Sequence, residues 1–368
     1  MSATTHFLFG GQEDFGVSGY RTDSVESFIL DAAEASARDR RVPWPAPTLL
    51  EADKSFASLA SGRYSLGTAD GLLGTATFTH VGLSASDHFL HDSRMECGGY
   101  DRPSPREMWS SLADGGGPAW KRVIGCASRF AKTDRLDEGL LRAVTRLSGA
   151  CYNAAQFKPA VAAAVIRHFG AKSVLDPCAG WGDRLVAACS CGVRYVGVDP
   201  NSGNFAGYKG IIDRFGNAAL QGVTDSCFED FDAGQSEFDL AFTSPPYFDT
   251  ERYASGTQYE SAQSWARYTT VDSWVSGFLR GLVRGCSRAL RSGGILAVNI
   301  KDSVRKTVDG KKTLGLCDRL EQECVDAGLE KVGIIAMQMK SAPGNVPSHR
   351  PPAGKAMIEP IICYRRRH

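Results

Sequence analysis

The sequence predicts an open, doubly wound α/β sheet over residues 136–368, preceded by an α+β extension over residues 1–135. From about residue 172, short apolar runs alternate with amphipathic segments, which is typical of a parallel sheet covered by helices on both faces. The first two runs end in Asp176 and Asp199, and the fourth ends against two prolines that cannot continue a strand. Before residue 135 the short runs are broken by Gly, Pro and Ser, and no such alternation is present.

The first four strands are predicted at "SVLD" (173–176), "RYVGVD" (194–199), "ALQGVTD" (219–225) and "FDLAFT" (238–243). Two helices, 137–149 and 159–168, are predicted to lead into the first strand. A glycine-containing turn and a helix follow it, and the helix after the second strand ends at Gly216, a favourable residue beyond a helix terminus. The first two strands are therefore each followed by a helix that can carry the chain back across the sheet.

The second half of the sheet is predicted from three strands and two helices, one of them around "LCDRLEQECVDAG" (316–328). Trp274, Phe278, Leu282 and Cys286 recur every four residues and indicate the buried face of a helix. The strands are "GGILAVNI", "VGIIAMQM" and "AMIEPIICYR", the last two joined as a hairpin. The prediction is thus a seven-stranded sheet.

Composition restricts the class of protein. The chain has 368 residues, 43% of them hydrophobic, which is typical of a folded globular protein. Its formal charge of +1 provides no overall attraction to nucleic acid or membrane, so any polyanion would meet a local basic patch. Eleven cysteines without C-x-x-C spacing, and no stretch long enough to cross a bilayer, predict a cytoplasmic protein with reduced thiols and no membrane partner. No metal site is expected, because His88, His91 and Cys97 lack a fourth ligand.

The turn "DPCAGWG" (176–182) carries the first functional prediction. It lacks the G-x-G-x-x-G pattern of dinucleotide sites, and its acid would repel a pyrophosphate but suits the ammonium and ribose of S-adenosylmethionine. Gly180 and Gly182 would let the backbone approach that ligand, and Asp199 could accept the ribose hydroxyls. The alternative is that Asp176 and Asp199 only cap helices.

Further residues are assigned to the same cofactor. Asp225 and Ser226 end the third strand, where an acceptor could meet the adenine amino group, although a turn-forming Asp has the same pattern. Phe157 precedes Pro159 at a helix start and could line the methionine end. The predicted cofactor-binding residues are Phe157, Asp176, Ala179, Gly180, Gly182, Asp199, Asp225, Ser226 and Thr243.

The turn "SPPY" carries the second prediction, with Ser244, Pro245, Pro246 and Tyr247 as catalytic residues. An exocyclic amine on a nucleobase is a poor nucleophile, because its lone pair is delocalised into the ring. Two acceptors, the Ser244 hydroxyl and the Pro245 carbonyl, would draw its hydrogens out of plane and restore lone-pair density. Tyr247 would stack on an extruded base, with Phe248 as a second wall.

The loop after this turn interleaves aromatic residues with arginines. Arg252 and Tyr253 are predicted to bind the substrate, because aromatic and basic side chains together suit an unstacked nucleic-acid strand. A hydrophobic loop tucked against the sheet would have the same composition.

Four motifs, "DPCAGWG", "VGVDP", "TDS" and "TSPPY", resemble those of S-adenosylmethionine-dependent amino-methyltransferases of nucleic acids. In particular they resemble those of DNA enzymes that form N4-methylcytosine or N6-methyladenine, and the resemblance covers roughly residues 150–368. "DPCAGWGDRL" with "VGVDPN" is also similar to methyltransferases of phages and large viruses. The resemblance implies a Rossmann-like methyltransferase sheet, the cofactor and catalytic roles given above, and DNA as the partner, either single-stranded or with a flipped base.

Ser244 at the first position of the tetrapeptide resembles the cytosine-N4 group, whereas adenine enzymes more often carry Asp or Asn. Adenine N6, RNA guanine N2 and protein glutamine remain alternative targets, as does a catalytically silent nucleic-acid-binding module. Because residues between the two motifs are used by the sheet, the N-terminal extension is the candidate for target recognition.

Overall fold

The computed structural model of the chain describes residues 25–130, 136–307, 310–339 and 357–367. Its helices are α1 (Val25–Asp39), α2 (Leu49–Ser61), α3 (Leu83–Met95), α4 (Pro105–Ser111), α5 (Gly117–Phe130), α6 (Glu138–Leu147), α7 (Pro159–His168), α8 (Asp183–Cys191), α9 (Phe205–Phe215), α10 (Ser264–Arg267), α11 (Val271–Trp274), α12 (Arg280–Ala289) and α13 (Leu316–Asp326). Its strands are β1 (Gly74–Ala76), β2 (Gly98–Gly99), β3 (Ser173–Asp176), β4 (Arg194–Asp199), β5 (Gln221–Asp225), β6 (Phe238–Thr243), β7 (Glu251–Arg252), β8 (Leu290–Asn299), β9 (Val304–Thr307), β10 (Gly310–Thr313), β11 (Leu329–Met339) and β12 (Met357–Arg366).

An eight-stranded sheet organises the larger part of the chain, in the order β1-β11-β12-β8-β6-β3-β4-β5. The pairs β3–β4, β4–β5, β3–β6 and β6–β8 are parallel. The strand β12 runs antiparallel to both of its neighbours, β11 and β8, which confirms the predicted terminal hairpin. The order changes direction at β3, between β4 and β6, and this is the position at which open α/β sheets bind ligands.

Hydrophobic packing covers both faces of the sheet. In β6, Leu240 and Phe242 belong to one buried cluster and Ala241 to the other, since successive side chains of a strand point to opposite faces. The helices α7 and α8 pack in the first cluster, whereas the second contains the predicted helical face that begins at Trp274. The doubly wound α/β fold is therefore confirmed.

The strand count differs from the prediction by one strand. The short strand β1, with the sequence Gly-Thr-Ala, adds to the edge of the sheet by parallel pairing with β11. This strand was not predicted, because three small residues do not form the apolar run that indicates a strand, and the partner of β1 is remote in sequence. A second short pair joins β2 to β7, directly after the predicted catalytic turn.

The chain divides by its contacts into two compact units. One consists of Met1–Pro45 and Arg102–Asn153, and the other of Ala46–Asp101 and Ala154–His368. This division differs from the predicted boundary at residue 135, because residues 46–101 contribute β1, β2 and two helices to the unit that contains the sheet.

The smaller unit is helical in its described part. Trp109 of α4 is fully buried, and its indole N–H donates to Thr145 Oγ1 at 2.8 Å. The Trp44 ring meets that of Trp109 edge to face at 6.1 Å. None of the helices described in either unit is long and apolar enough to span a membrane.

Candidate functional site

The carboxyl ends of β3, β4, β5 and β6 bring the two predicted motifs to one edge of the sheet. Asp199 pairs with Asp225 in register across β4 and β5. Asp176 ends β3, and Thr243 ends the neighbouring strand β6. The turns that follow β3 and β6 therefore begin on adjacent strands, as ligand sites in such sheets require.

Two left-handed glycines shape the turn after β3. Gly180 has φ +58° and Gly182 has φ +73°, and L side chains rarely adopt this conformation. A Cβ on Gly182 would lie 2.7 Å from Ile211 Cδ1, so this glycine also permits close packing. A Cβ on Gly180 would meet no atom nearer than 3.8 Å, which leaves space beside the turn for a ligand.

Asp199, the last residue of β4, forms a hydrogen bond with the turn after β3. Its carboxylate accepts the Gly180 N–H at 2.8 Å and the Asn201 N–H at 2.9 Å. Burial raises the pKa of this carboxyl to about 7, although both N–H groups lower it. Each oxygen has accepted one of these bonds and keeps a further lone pair, so the group can still accept two hydroxyls.

Asp176 does not have the predicted environment. Its side chain is 0% exposed, and it accepts bonds from Arg184 Nε and the Tyr195 hydroxyl, both at 2.7 Å. Arg184 Nη2 is 3.2 Å from the other carboxylate oxygen. Asp176 was predicted to contact the cofactor. The structure corrects this, because no part of its carboxylate is accessible. Asp176 instead attaches helix α8 to strands β3 and β4.

The other predicted cofactor residues differ in accessibility. Ala179 is 1% exposed and Thr243 is 0% exposed. Their side chains are therefore too enclosed to contact a ligand, which corrects the prediction that they bind the cofactor. Phe157 is 9% exposed and meets the Phe242 ring edge to face at 5.5 Å. Asp225 is exposed and accepts the Ser202 hydroxyl at 2.6 Å.

Ser226 is half-buried next to Asp225. Its N–H donates to the backbone oxygen of Asp199 at 3.3 Å, and its hydroxyl donates to the Cys227 oxygen at 2.9 Å. Both residues therefore remain beside Asp199 at the predicted position.

The turn after β6 is held by two buried polar residues that are distant in sequence. The Ser244 hydroxyl donates to Asn299 Oδ1 at 3.2 Å, and Asn299 Nδ2 donates to the Pro360 oxygen at 3.0 Å. The Tyr247 hydroxyl donates to Glu359 Oε1 at 2.6 Å. Burial and the Glu359 charge hold the pKa of Tyr247 well above its usual value. Ser244, Pro246 and Tyr247 are half-buried, and Pro245 is buried.

Asn299 and Glu359 were not among the residues predicted from the sequence. Each is a polar residue within an otherwise apolar strand, in "LAVNI" and "MIEPII". Such an interruption in a central strand is the signal that identifies them, because a buried polar group needs a partner.

Phe248 occupies the core. It is 4% exposed, has φ +58°, and packs against the Trp274 ring with centroids 6.3 Å apart. The predicted second stacking wall is thus corrected: burial removes this ring from contact with a base. A left-handed aromatic residue is strained, so its packing holds the turn in place.

Arg252 and Tyr253 lie in an aromatic cluster just beyond the turn. The Arg252 guanidinium is 5.4 Å from the Tyr100 ring centroid and 5.2 Å from that of Trp265. Tyr253 packs edge-on against Trp181 at 5.5 Å, and Trp181 is 9% exposed. Tyr100 is 51% exposed, so one face of this cluster is open to solvent. Among the described residues no group of three or more His, Cys, Asp or Glu side chains could hold a metal ion.

The sequence matches no protein-family model and no curated protein. Solved structures do align with the chain. An S-adenosylmethionine-dependent methyltransferase from Methanosarcina mazei is 11% identical over 55% of this chain and 97% of its own, with a TM-score of 0.36. The 1,6-didemethyltoxoflavin-N1-methyltransferase of Burkholderia thailandensis, solved with S-adenosylhomocysteine, is 16% identical over 69% and 92%, with a TM-score of 0.36.

A Thermotoga maritima O-methyltransferase is 12% identical over 66% of this chain and 71% of its own, with a TM-score of 0.34. These likenesses are distant. The α/β fold class rests on the strand order and pairing of the sheet itself.

Proposed function

We propose that this chain transfers a methyl group from S-adenosylmethionine to an exocyclic amino group of a DNA base, with cytosine N4 as the first candidate. The observation that carries the proposal is the position of the Ser244 hydroxyl. Ser244 follows the last residue of β6, the strand that pairs with β3, and its hydroxyl donates to Asn299 Oδ1. An amine placed there meets an acceptor rather than a competing donor.

The residues of the first turn fit the adenosine part of this cofactor. Asp199 retains lone pairs for two ribose hydroxyls, and Gly180 leaves space beside the turn. Asp225 and Ser226, at the end of the next strand, are the candidates for contact with the adenine amino group. Asp176 acts in this proposal only as a support for the turn, through Arg184 and Tyr195.

S-adenosylmethionine would supply a sulfonium methyl group, which the substrate nitrogen takes with its lone pair as the carbon–sulfur bond breaks. Ser244 Oγ and the Pro245 carbonyl would accept the two amino hydrogens and localise that lone pair. The Tyr247 ring would stack on the base. The proton released afterwards passes to water, so no strong general base is needed.

DNA as the partner is supported by the aromatic cluster around Arg252, which follows the turn and has one open face. A guanidinium between two rings combines charge with flat surfaces, as unpaired bases and phosphates require. Target recognition by residues 1–135 remains part of the proposal, because this range contributes helices α1 to α5 in addition to the sheet strand β1.

The test is nucleoside mass spectrometry after separate incubations of DNA, RNA and protein substrate with the chain and methyl-labelled cofactor. Label in N4-methylcytosine supports the proposal. Label in N6-methyladenine corrects the base, and label in N2-methylguanosine or glutamine corrects the substrate class. Cofactor binding without any transfer supports the silent module instead. Ser244→Ala is the impaired comparison, and Ser128→Ala, which changes an exposed helical serine, is the matched control.

A further inference from the structure

We propose that Asn299 and Glu359 are positioning residues that hold the two hydroxyls of the catalytic turn with their hydrogens directed away from the substrate amine. This inference rests on the proposed function and extends it to two residues outside the turn. Both residues are buried, with side-chain contacts to the turn, and they lie on the neighbouring strands β8 and β12.

The orientation of the Asn299 amide is set by strand β12. Asn299 is 2% exposed, and its Nδ2 donates to the Pro360 oxygen at 3.0 Å. Since that amide nitrogen is engaged, Oδ1 is directed to Ser244 Oγ at 3.2 Å. A buried side-chain amide with both ends bonded has one favourable orientation.

A serine hydroxyl has one hydrogen and two lone pairs. When the hydrogen is donated to Asn299, only lone pairs remain for the substrate. Without Asn299 the hydroxyl could rotate and direct its hydrogen to the amine, where two donors would face each other. The asparagine therefore keeps Ser244 in the acceptor orientation that activates an amine.

Glu359 has the same effect on Tyr247. The phenol donates its hydrogen to Oε1 at 2.6 Å, and Glu359 Oε2 lies 3.4 Å from Lys301 Nζ. Glu359 is 8% exposed, so its acceptor position is set by the surrounding strand. This bond fixes the tilt of the Tyr247 ring, the surface on which a base would stack.

The first experiment is a double-mutant cycle on Ser244 and Asn299, with labelled cofactor and a single-stranded DNA oligonucleotide containing all four bases. Asn299→Ala should lower kcat about 10- to 100-fold while KM for DNA and cofactor affinity stay nearly unchanged. In the Ser244→Ala background the same substitution should have a much smaller effect, because its nearer target hydroxyl is gone and only the 3.4 Å contact of Asn299 Oδ1 with the Tyr247 hydroxyl remains.

Asn299→Asp keeps an oxygen for Ser244 but loses the Nδ2 bond to the Pro360 oxygen and buries a charge, so it should recover only part of the kcat that Asn299→Ala loses. If Asn299→Ala fails to fold, Asn299→Leu fills a similar volume without an acceptor and takes its place in the cycle. Additive losses, or a kcat equal to wild type in both apolar variants, would overturn the role of Asn299. Absence of transfer by wild type would instead overturn the proposed function together with this inference.

The Glu359 bond is tested without methyl transfer. Tyr247 ionisation is followed by phenolate absorbance, as the difference between each protein and its Tyr247→Phe variant. Glu359→Gln should make Tyr247 ionise at lower pH, because a carboxylate charge beside the phenol disfavours phenolate. An unchanged titration would overturn the contact, and unchanged kcat in an active protein carrying Glu359→Ala would overturn its role.

Discussion

The turn after β3 and the turn after β6 lie at the same edge of one sheet, yet they are stabilised differently. Asp176, in the first turn, is bonded to residues 8 and 19 positions away, Arg184 and Tyr195. In the second turn, the side chains of Ser244 and Tyr247 are bonded to residues 55 and 112 positions away, Asn299 and Glu359. The first turn is thus largely a local structure, whereas the second depends on the assembled sheet.

We therefore expect substitutions in the first turn to lower stability and substitutions in the second turn to lower catalytic activity. The first turn contains a fully buried ion pair whose loss should affect folding. In the second turn the half-buried side chains of Ser244 and Tyr247 carry neutral hydroxyls, whose loss should affect the reaction more than the fold. Variants of each turn, measured for both stability and catalysis, test whether the two turns differ in this way.

The largest expected effect is on stability, in the first turn. Arg184→Leu should lower the free energy of unfolding by about 3–5 kcal/mol, because it leaves the buried Asp176 carboxylate without its cation. Chemical denaturation measures this change. Lys209→Ala, which breaks an exposed pair with Asp213, is the control and should change stability by less than about 1 kcal/mol.

Combining Arg184→Leu with Asp176→Asn should recover part of the loss, since the uncompensated charge is then absent. A cost for Arg184→Leu no larger than that of Lys209→Ala would contradict the supporting role given to this ion pair.

The next effect is on catalysis, in the second turn. Ser244→Ala should lower kcat about 10²- to 10³-fold, equivalent to about 3–4 kcal/mol, while cofactor affinity and the melting temperature change little. Tyr247→Ala should abolish transfer without loss of cofactor binding. Single-turnover transfer and calorimetric cofactor titration separate the two properties. Loss of cofactor affinity in either variant would be inconsistent with the roles assigned.

The two glycines of the first turn provide a matched pair. Gly182→Ala should destabilise the fold by about 2 kcal/mol or more, because strain in the left-handed region adds to a 2.7 Å approach to Ile211. Gly180→Ala should lower the free energy of unfolding by only about 1–2 kcal/mol, because the left-handed conformation is strained but no atom lies nearer than 3.8 Å to the new methyl group.

Cofactor affinity should show the opposite order, with the greater loss in Gly180→Ala, whose new methyl group enters the space left for the ligand. Denaturation and cofactor titration of both variants test this. Equal affinities would place the cofactor elsewhere.

The smallest effect concerns pH. The pKa of Asp199 is raised to about 7, so the carboxyl is largely protonated below pH 6 and ionised above pH 8. Ribose hydroxyls donate to the ionised form, so cofactor affinity should fall as the pH is lowered through 7, by about tenfold at pH 6. Asp199→Asn should bind more weakly at high pH and show a flat profile between pH 6 and 8. A wild-type affinity independent of pH would argue against a contact between Asp199 and the cofactor.

Much of the sheet was predictable because its signals are local. The helix Pro159–His168 begins and ends at the predicted residues, and the final hairpin and the helical face beginning at Trp274 are also confirmed. The short strand β1 was missed, since three small residues gain their strand conformation only from a partner late in the chain.

The positions of the two turns follow from local sequence, since glycines, prolines and strand-terminal acids restrict the backbone where they occur. Which of these side chains a ligand can reach depends on the folded arrangement of the whole sheet. It enclosed Asp176 with Arg184, buried Phe248 against Trp274, and brought Asn299 and Glu359 to the Ser-Pro-Pro-Tyr turn. The physical reason is that burial and hydrogen bonding depend on strand neighbours, and in this sheet the neighbours of β6 and β8 come from distant parts of the chain.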